Sequence, residues 1–145
     1  MKRLGRYFSF DGRTSRLGYW RVQIPLMLIW AVFWCAGFLL AESTGVAALS
    51  AIGVAASLPV LWAVFALLFR RLHDRDKSGW WVLVFYVTPL MLALAGRALL
   101  DKGDALAGGL VALGELTLGV WAFVEIGLLS GTRGKNRFGA DPRAA

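Results

Sequence analysis

The sequence predicts an all-α fold, a bundle of four transmembrane helices that forms a single integral membrane domain over residues 1–145. The first observation is composition, since 58% of the residues are hydrophobic and only 17% are charged. The second is that four windows, residues 22–40, 46–69, 80–100 and 106–129, hold at most two charged residues each. The third is that these windows lack the alternation of polar and apolar residues that a membrane barrel requires.

The length of each window is sufficient for a membrane span. A helix rises ~1.5 Å per residue, so about 20 residues cross a hydrocarbon core of roughly 30 Å. Each window has at least 19 residues. Since no backbone group can stay unpaired in lipid, the windows are expected to be helical.

The first two windows have distinct borders and surfaces. Tyr19 and Trp20 precede the first window and suit the headgroup level, where amphipathic rings are enriched. The second window carries a stripe of small residues, Ala47, Ala51 and Ala55, which would allow close approach of a neighbouring helix.

The third and fourth windows follow the same pattern. Trp80 and Trp81 open the third window as a second aromatic border. The fourth window has residues spaced by four, three, four and three positions, which places them on one helix face: Gly108, Ala112, Glu115, Gly119 and Ala122.

Basic residues predict the orientation. With four spans, the two termini and the middle connection share one side, and that side holds 14 of the 16 Lys and Arg residues. Six of them precede the first window: Lys2, Arg3, Arg6, Arg13, Arg16 and Arg21. The positive-inside rule places this side, and hence both termini, in the cytoplasm.

The same cations bear on partners. Orientation alone accounts for the net charge of +7, so nucleic acid is not expected as a partner. Membrane lipids with anionic headgroups are expected, because each Lys or Arg near the surface contributes about 1 kcal/mol of attraction. A membrane protein partner or a second copy of the chain is a further expectation.

Three charged residues fall inside the windows, namely Arg97, Glu115 and Glu125. A charge near the bilayer centre costs roughly 2.5–3.5 kcal/mol, so each needs a partner. Depth along the helices predicts an Arg97–Glu115 pair, and it places Glu125 near Arg70 or Arg71. Such residues form either a proton or ion relay or an ion pair that fixes helix register, and the register interpretation is preferred.

Three polar segments lie on the predicted cytoplasmic side, and together they resemble a known family. The segments read "FSFDGRTSRLGYW", "RRLHDRDKSGWW" and "GTRGKNRFGADP". In this order they are similar to the family known as domain of unknown function 805, and the resemblance covers nearly the whole chain. It implies a small multi-pass protein of the bacterial inner membrane with no established activity.

The resemblance also implies that certain residues belong to the family pattern, whereas Glu115 and Glu125 have no place in it. Those residues are Phe10, Gly12, Arg13, Arg16, Tyr19, Trp20, Arg70, Arg71, Leu72, His73, Asp74, Ser78, Gly79, Trp80, Gly131, Thr132, Gly134, Asn136, Phe138, Gly139, Asp141 and Pro142.

The candidate site comprises the charged and amide residues of the three segments, and two interpretations remain open. In the first, arginines and a tight glycine-containing turn bind a phosphate group, and a histidine beside an aspartate titrates near neutrality. In the second, the arginines pair with Asp11, Asp74, Asp76, Asp141 and carbonyl groups of the fourth helix and tie the segments together. This structural latch is preferred. The candidates are Arg13, Arg16, Arg70, Arg71, His73, Asp74, Asn136, Arg137 and Asp141.

The sequence does not favour an enzyme. One histidine and one cysteine do not supply a zinc site of familiar spacing, and neither a phosphate-binding loop nor a nucleophile elbow occurs. No cofactor or metal is therefore expected, and a non-catalytic binding or assembly module is the preferred function. The alternatives are a small transporter or channel subunit that uses Glu115 and Arg97, and a membrane enzyme that acts on a phosphate-containing lipid through His73 and Asp74.

Overall fold

The computed structural model describes residues 5, 8–46 and 48–144. Within these residues it contains four long helices and no β-strand, which confirms the predicted fold class. The helices are α1 (Arg16–Thr44), α2 (Ala48–Asp74), α3 (Thr88–Asp101) and α4 (Ala105–Ala122). A π-helical segment, π1 (Leu83–Val87), precedes α3, and a second one, π2 (Phe123–Leu128), continues α4. Lys2, Arg3, Arg6 and Ala47 lie outside the described residues.

Each helical unit is long and apolar enough to cross a membrane. The shortest, Leu83–Asp101, has 19 residues, and the longest, Arg16–Thr44, has 29. Two of the helices extend past the apolar windows, because α1 begins at Arg16 and α2 continues to Asp74. Several predicted site residues therefore lie on helix ends, where the helix satisfies the backbone and the side chains remain available for pairing.

Short connections fold the chain into two helical hairpins. The Ser15 hydroxyl caps α1 by accepting from Gly18 N at 3.2 Å, and Gly45 ends the helix at a φ of 69°, which glycine adopts readily. The second hairpin turns at Gly103, and Asp104 caps α4 by accepting from Ala107 N at 3.0 Å. Antiparallel pairing of α1 with α2, and of α3 with α4, follows from these tight turns.

Glycines bring the helices of each hairpin into close contact. In the first hairpin, Gly37 faces Gly53, and a Cβ atom on Gly53 would lie 2.9 Å from Phe33 O and from the Gly37 Cα. In the second, a Cβ on Gly108 would lie 3.3 Å from Gly96 O. Backbones approach this closely only where a side chain is missing, as is usual for helices that associate in lipid.

The predicted small-residue stripes are only partly correct. Ala51 and Ala55 are exposed, because α2 turns the face with Gly53 toward α1. On the second hairpin Gly108 and Ala122 are buried, whereas Ala112 and Gly119 are exposed. The spacing identified residues that share one face of each helix. It did not reveal how each helix is rotated in the bundle, and this rotation buries another part of the helix surface.

The two hairpins approach each other at one end of the bundle. Among the helical elements of the described residues, the backbones of the two hairpins come close only where π2 meets α1 and α2. The hydrophobic core lies at this level and includes Tyr19, Leu67, Leu68, Leu72, Phe85 and Ile126. We call this the capped end, because residues 8–15, 75–82 and 129–144 cover it.

The Gly37–Gly53 contact predicts the effect of a single methyl group. Gly53→Ala should lower the melting temperature of the protein in detergent micelles, because the added Cβ must push α1 and α2 apart. The control is Gly109→Ala on α4, where nothing lies within 4 Å of the new Cβ. That change should leave stability equal or higher by about 0.5–1 kcal/mol, since alanine favours helix. A Gly53→Ala protein that melts at or above the wild-type temperature would contradict the packing described.

Candidate functional site

The Asp74 carboxylate, at the end of α2, is the centre of the capped end. Its side chain is 1% exposed. Asp74 Oδ1 accepts hydrogen bonds from Arg13 Nε at 3.1 Å and Arg13 Nη2 at 3.0 Å, and Oδ2 accepts from Arg71 Nη1 at 2.8 Å. Such charge-assisted hydrogen bonds are stronger than those between neutral groups. One buried acid thus compensates two buried arginines, so the cluster retains a formal positive charge.

Arg71 joins α2 to the end of the second hairpin. Its side chain is fully buried, and Nε donates to Ile126 O at 2.7 Å while Nη2 donates to Leu129 O. These carbonyls belong to the last turn of the fourth span, where helix geometry leaves carbonyl groups without partners. The Arg71 guanidinium group therefore supplies donors to the carbonyl groups at the end of the fourth span and fixes that end to α2.

Arg13 joins the amino-terminal segment to the tail. Besides its two bonds to Asp74, its Nη1 donates to Gly134 O at 2.6 Å and its Nη2 donates to Thr132 O at 2.6 Å. The segment that carries Arg13 is itself held against α2, because Phe10 packs edge-on against Trp62 and Phe69 with ring centroids 5.2 and 4.8 Å apart.

The two segments also cap the carbonyl groups at the end of α2. Thr14 N donates to Arg70 O at 3.1 Å and Thr132 N donates to Asp74 O at 2.8 Å. Asn136 Nδ2 donates to His73 O at 2.9 Å. Parts of the chain that are distant in sequence thus provide the donors that the end of a helix lacks.

Gly131 allows the tail to cover Asp74. A Cβ atom at this position would lie 1.8 Å from Asp74 Oδ2, a distance that no side chain could tolerate. The tail backbone therefore lies directly over the carboxylate and separates it from solvent.

His73 is half-buried beside this cluster and packs against the tail. Its ring stacks on Phe138 with centroids 3.9 Å apart and an interplanar angle of 4°, and its Nδ1 lies 3.2 Å from Gly12 O. The ion pairs of the described residues join Asp74 to Arg13 and Arg71 and not to His73, so the two neighbours in sequence do not form an acid–base pair with each other.

Glu125 forms a second ion-pair group on π2. Its Oε1 lies 3.0 Å from Arg75 Nε and 3.8 Å from Lys77 Nζ, two partners that depth along the helices did not suggest, whereas Arg71 forms its ion pair with Asp74. Arg71 is already committed to Asp74 and to the carbonyls of the fourth span. The sequence did contain a signal that Arg75 and Lys77 could pair with Glu125. Both residues come just after the end of α2, where the chain can turn back toward π2.

The remaining candidates lie around this centre. Arg16 Nη1 donates to Leu128 O at 2.8 Å, and buried Arg70 donates from Nε to Ala66 O at 3.4 Å. Arg137 pairs with Asp76 at 3.2 Å in an exposed position. Asp141 is paired with Arg143 at 2.9 Å, and these hydrogen bonds hold the pKa of the Asp141 carboxyl well below its usual range.

The predicted Arg97–Glu115 pair is absent from the ion pairs of residues 5, 8–46 and 48–144. Arg97 is exposed on α3, and Glu115 lies in a shallow groove of α4 beside Ala112 and Gly119. Equal depth in the membrane was a poor guide, because pairing also requires that two helices turn the relevant faces toward each other. Among the described residues, no group of three His, Cys, Asp or Glu side chains could hold a metal ion.

Comparison with known proteins identifies similar sequences. The family model described as "Protein of unknown function (DUF805)" matches residues 7–140. The chain is 33% identical over 136 residues to the uncharacterized protein YiiR of Escherichia coli strain K12, covering 92% of this chain and 86% of that protein. It is 29% identical over 146 residues to the inner membrane protein YhaH of the same strain, covering 99% and 94% of the two chains.

A third relative is also named an inner membrane protein. The inner membrane protein YhaI of Escherichia coli strain K12 is 31% identical to this chain over 140 residues, covering 97% of this chain and 91% of that protein. No solved structure matches the chain.

The buried cluster predicts the effect of neutralising its acid. Asp74→Asn should destabilise the protein by about 3–5 kcal/mol, because it leaves two desolvated guanidinium groups without a counter-ion. Thermal unfolding in detergent micelles measures the change. Asp76→Asn is the matched control, since the Asp76–Arg137 pair is exposed and such pairs contribute at most about 1 kcal/mol. Equal stability of the two variants would show that the carboxylate of Asp74 is not the centre of the cap.

Proposed function

The chain belongs to the DUF805 family of proteins of unknown function, and we propose that it is a non-catalytic membrane module that binds anionic phospholipid. The proposed location is the bacterial inner membrane, with both termini in the cytoplasm. Its four membrane-length helices and the relatives named inner membrane proteins support that location.

One observation carries the non-catalytic part of the proposal: the chain itself uses all the polar groups of the Asp74 cluster. Each of the three nitrogens of Arg13 and of Arg71 donates to an acceptor in the same chain. Asp74 is covered by the tail at Gly131. A substrate phosphate would have to displace these bonds before it could reach either guanidinium group, so the cluster suits a structural latch better than a ligand site.

The cations for lipid binding are a different, outward-facing set, and Arg21 is the best placed of them. It is exposed on the first turns of α1 and takes part in none of the ion pairs of the described residues. Beside it is an open groove of about 430 Å³ between α1 and α2, lined by Phe8, Val22, Pro25, Leu26, Pro59, Val60 and Ala63.

This arrangement matches the two parts of a phospholipid. A guanidinium group binds a phosphate by two parallel hydrogen bonds, and the apolar groove accommodates an acyl chain. The latch would then hold the ends of α1 and α2 together so that Arg21 and the groove keep their relative positions.

The lipid proposal predicts a selective loss of binding. Arg21→Gln should lower the affinity for phosphatidylglycerol by about fivefold, since one cation near the surface contributes about 1 kcal/mol. Native mass spectrometry of the protein titrated with phosphatidylglycerol in detergent measures the number of bound lipids. The control is Lys102→Gln, which removes an exposed cation at the opposite end of the bundle. If both variants retain as much phosphatidylglycerol as wild type, Arg21 is not the headgroup site.

The orientation has its own test. A fluorescent protein that matures only in the cytoplasm should fluoresce when it is fused after residue 145, because 14 of 16 basic residues lie on the side of the termini and middle connection. Alkaline phosphatase, which is active only outside the cytoplasm, should be active when inserted at Gly103. The reverse pattern of the two reporters would overturn the proposed orientation.

A further inference from the structure

We propose that the cavity between the two hairpins binds a neutral lipid that carries a free hydroxyl group. The cavity has a volume of about 400 Å³. It lies beside the hydrophobic core of the capped end, because core residues such as Tyr19, Phe85 and Ile126 line it. It is lined by α1, α2, α4 and both π-helical segments, with polar groups from Tyr19, Gln23 and Tyr86. This size, with apolar walls and a few polar groups, is typical of small-molecule sites.

Gln23 is the residue that points to a ligand. It is 5% exposed, lines the cavity, and its Oε1 atom has no hydrogen-bond partner. An unpaired buried amide costs free energy, and native proteins rarely keep one without a functional reason. A half-turn of the last side-chain torsion exchanges the oxygen and nitrogen, so this amide can accept from or donate to a hydroxyl.

The other polar groups in the cavity wall also favour a ligand whose head group is a neutral hydroxyl. Tyr19 on α1 and Tyr86 on π1 both line the cavity, so each hairpin contributes a phenol group to its wall. Among the described residues, none that lines the cavity carries a formal charge at neutral pH. Since an unpaired charge is costly inside a membrane, the ligand head is expected to be neutral.

The residues at the opening of the cavity, which we call its rim, indicate that the ligand enters from the bilayer. Met27 and Phe123 line the cavity and are 52% and 54% exposed on the surface of the spans. A molecule that reaches the cavity through this rim comes from the lipid phase, so its body is apolar.

The backbone around the cavity is also unusual. Both π-helical segments contribute to the wall, through Phe85 and Tyr86 in π1 and through Phe123, Ile126 and Gly127 in π2. Such segments are rare and occur frequently at functional sites. This site is separate from the Arg21 groove, where the head group is charged, so the inference goes beyond the function proposed above.

The test compares two lipids that differ at one hydroxyl. The full chain in detergent is titrated with 1,2-dioleoylglycerol and with its 3-acetyl ester, and native mass spectrometry gives the affinity of each. Wild type should bind dioleoylglycerol about tenfold more tightly, the factor that corresponds to one net hydrogen bond. Equal affinity for the two lipids, or no binding of dioleoylglycerol, overturns the proposal.

Two variants locate the site. Gln23→Leu removes the unpaired amide, so it should raise the melting temperature of the lipid-free protein and abolish the preference for the hydroxyl. Gly119→Leu should weaken both lipids, because Gly119 lines the cavity and nothing lies within 4 Å of its Cβ position, which leaves room for a side chain that fills the space. Retention of the preference in Gln23→Leu, or unchanged binding in Gly119→Leu, contradicts this location.

The controls separate this result from the phospholipid site. Thr117→Val removes a hydroxyl from the exposed face of α4, where it bonds only to Leu113 O at 2.8 Å, and it should leave both affinities unchanged. Binding of phosphatidylglycerol should be the same in Gln23→Leu as in wild type. A parallel loss of both lipids in Gln23→Leu would indicate general damage and count against a specific role for the amide.

Discussion

The hydrogen bonds that hold Asp74 between Arg13 and Arg71 are the constraint on which the rest of the structure depends. They bring together the amino-terminal segment, the end of α2, the end of the fourth span and the tail. A buried ion pair contributes little net stability over well-packed apolar residues, because desolvation offsets most of the attraction. Its value here is that this arrangement of the four segments gives every nitrogen of the Arg13 and Arg71 guanidinium groups an acceptor within the chain.

This polar cluster is needed because lipid weakens the force that joins helices in water. Inside each hairpin, glycine contacts give the helices a close-packed surface, at Gly37 with Gly53 and at Gly96 with Gly108. Between the hairpins, the backbones of the described helices meet only at π2. Hydrogen bonds in the cap therefore replace much of the hydrophobic core that a water-soluble bundle would have. Because the hairpins are not packed together along their whole length, space remains between them for a cavity.

Sequence reasoning was most successful where the physics depends on composition along the chain. The four spans followed from the length of the windows with few charges, and the family followed from three motifs in order. Side-chain pairing was harder, since it depends on how each helix is rotated. Depth alone suggested Arg97 with Glu115, yet Arg97 is exposed and this pair is absent from the ion pairs of the described residues. Depth also gave no indication that Glu125 pairs with Arg75. Gln23 was overlooked, although a single amide in the apolar run "RVQIPLML" is a detectable signal.

The route of the Arg13 bonds has a consequence for how the protein is made. Arg71 and Asp74 are three residues apart and can pair as soon as α2 forms, but Arg13 donates to Thr132, Gly134 and Gly139, which the ribosome adds only after the fourth span. The part of the cap that Arg13 forms with the tail therefore closes only after the fourth span has been synthesised. A nascent chain interrupted before Thr132 lacks these acceptors, so Arg13 then keeps its bonds to Asp74 while its Nη1 has no acceptor from the tail.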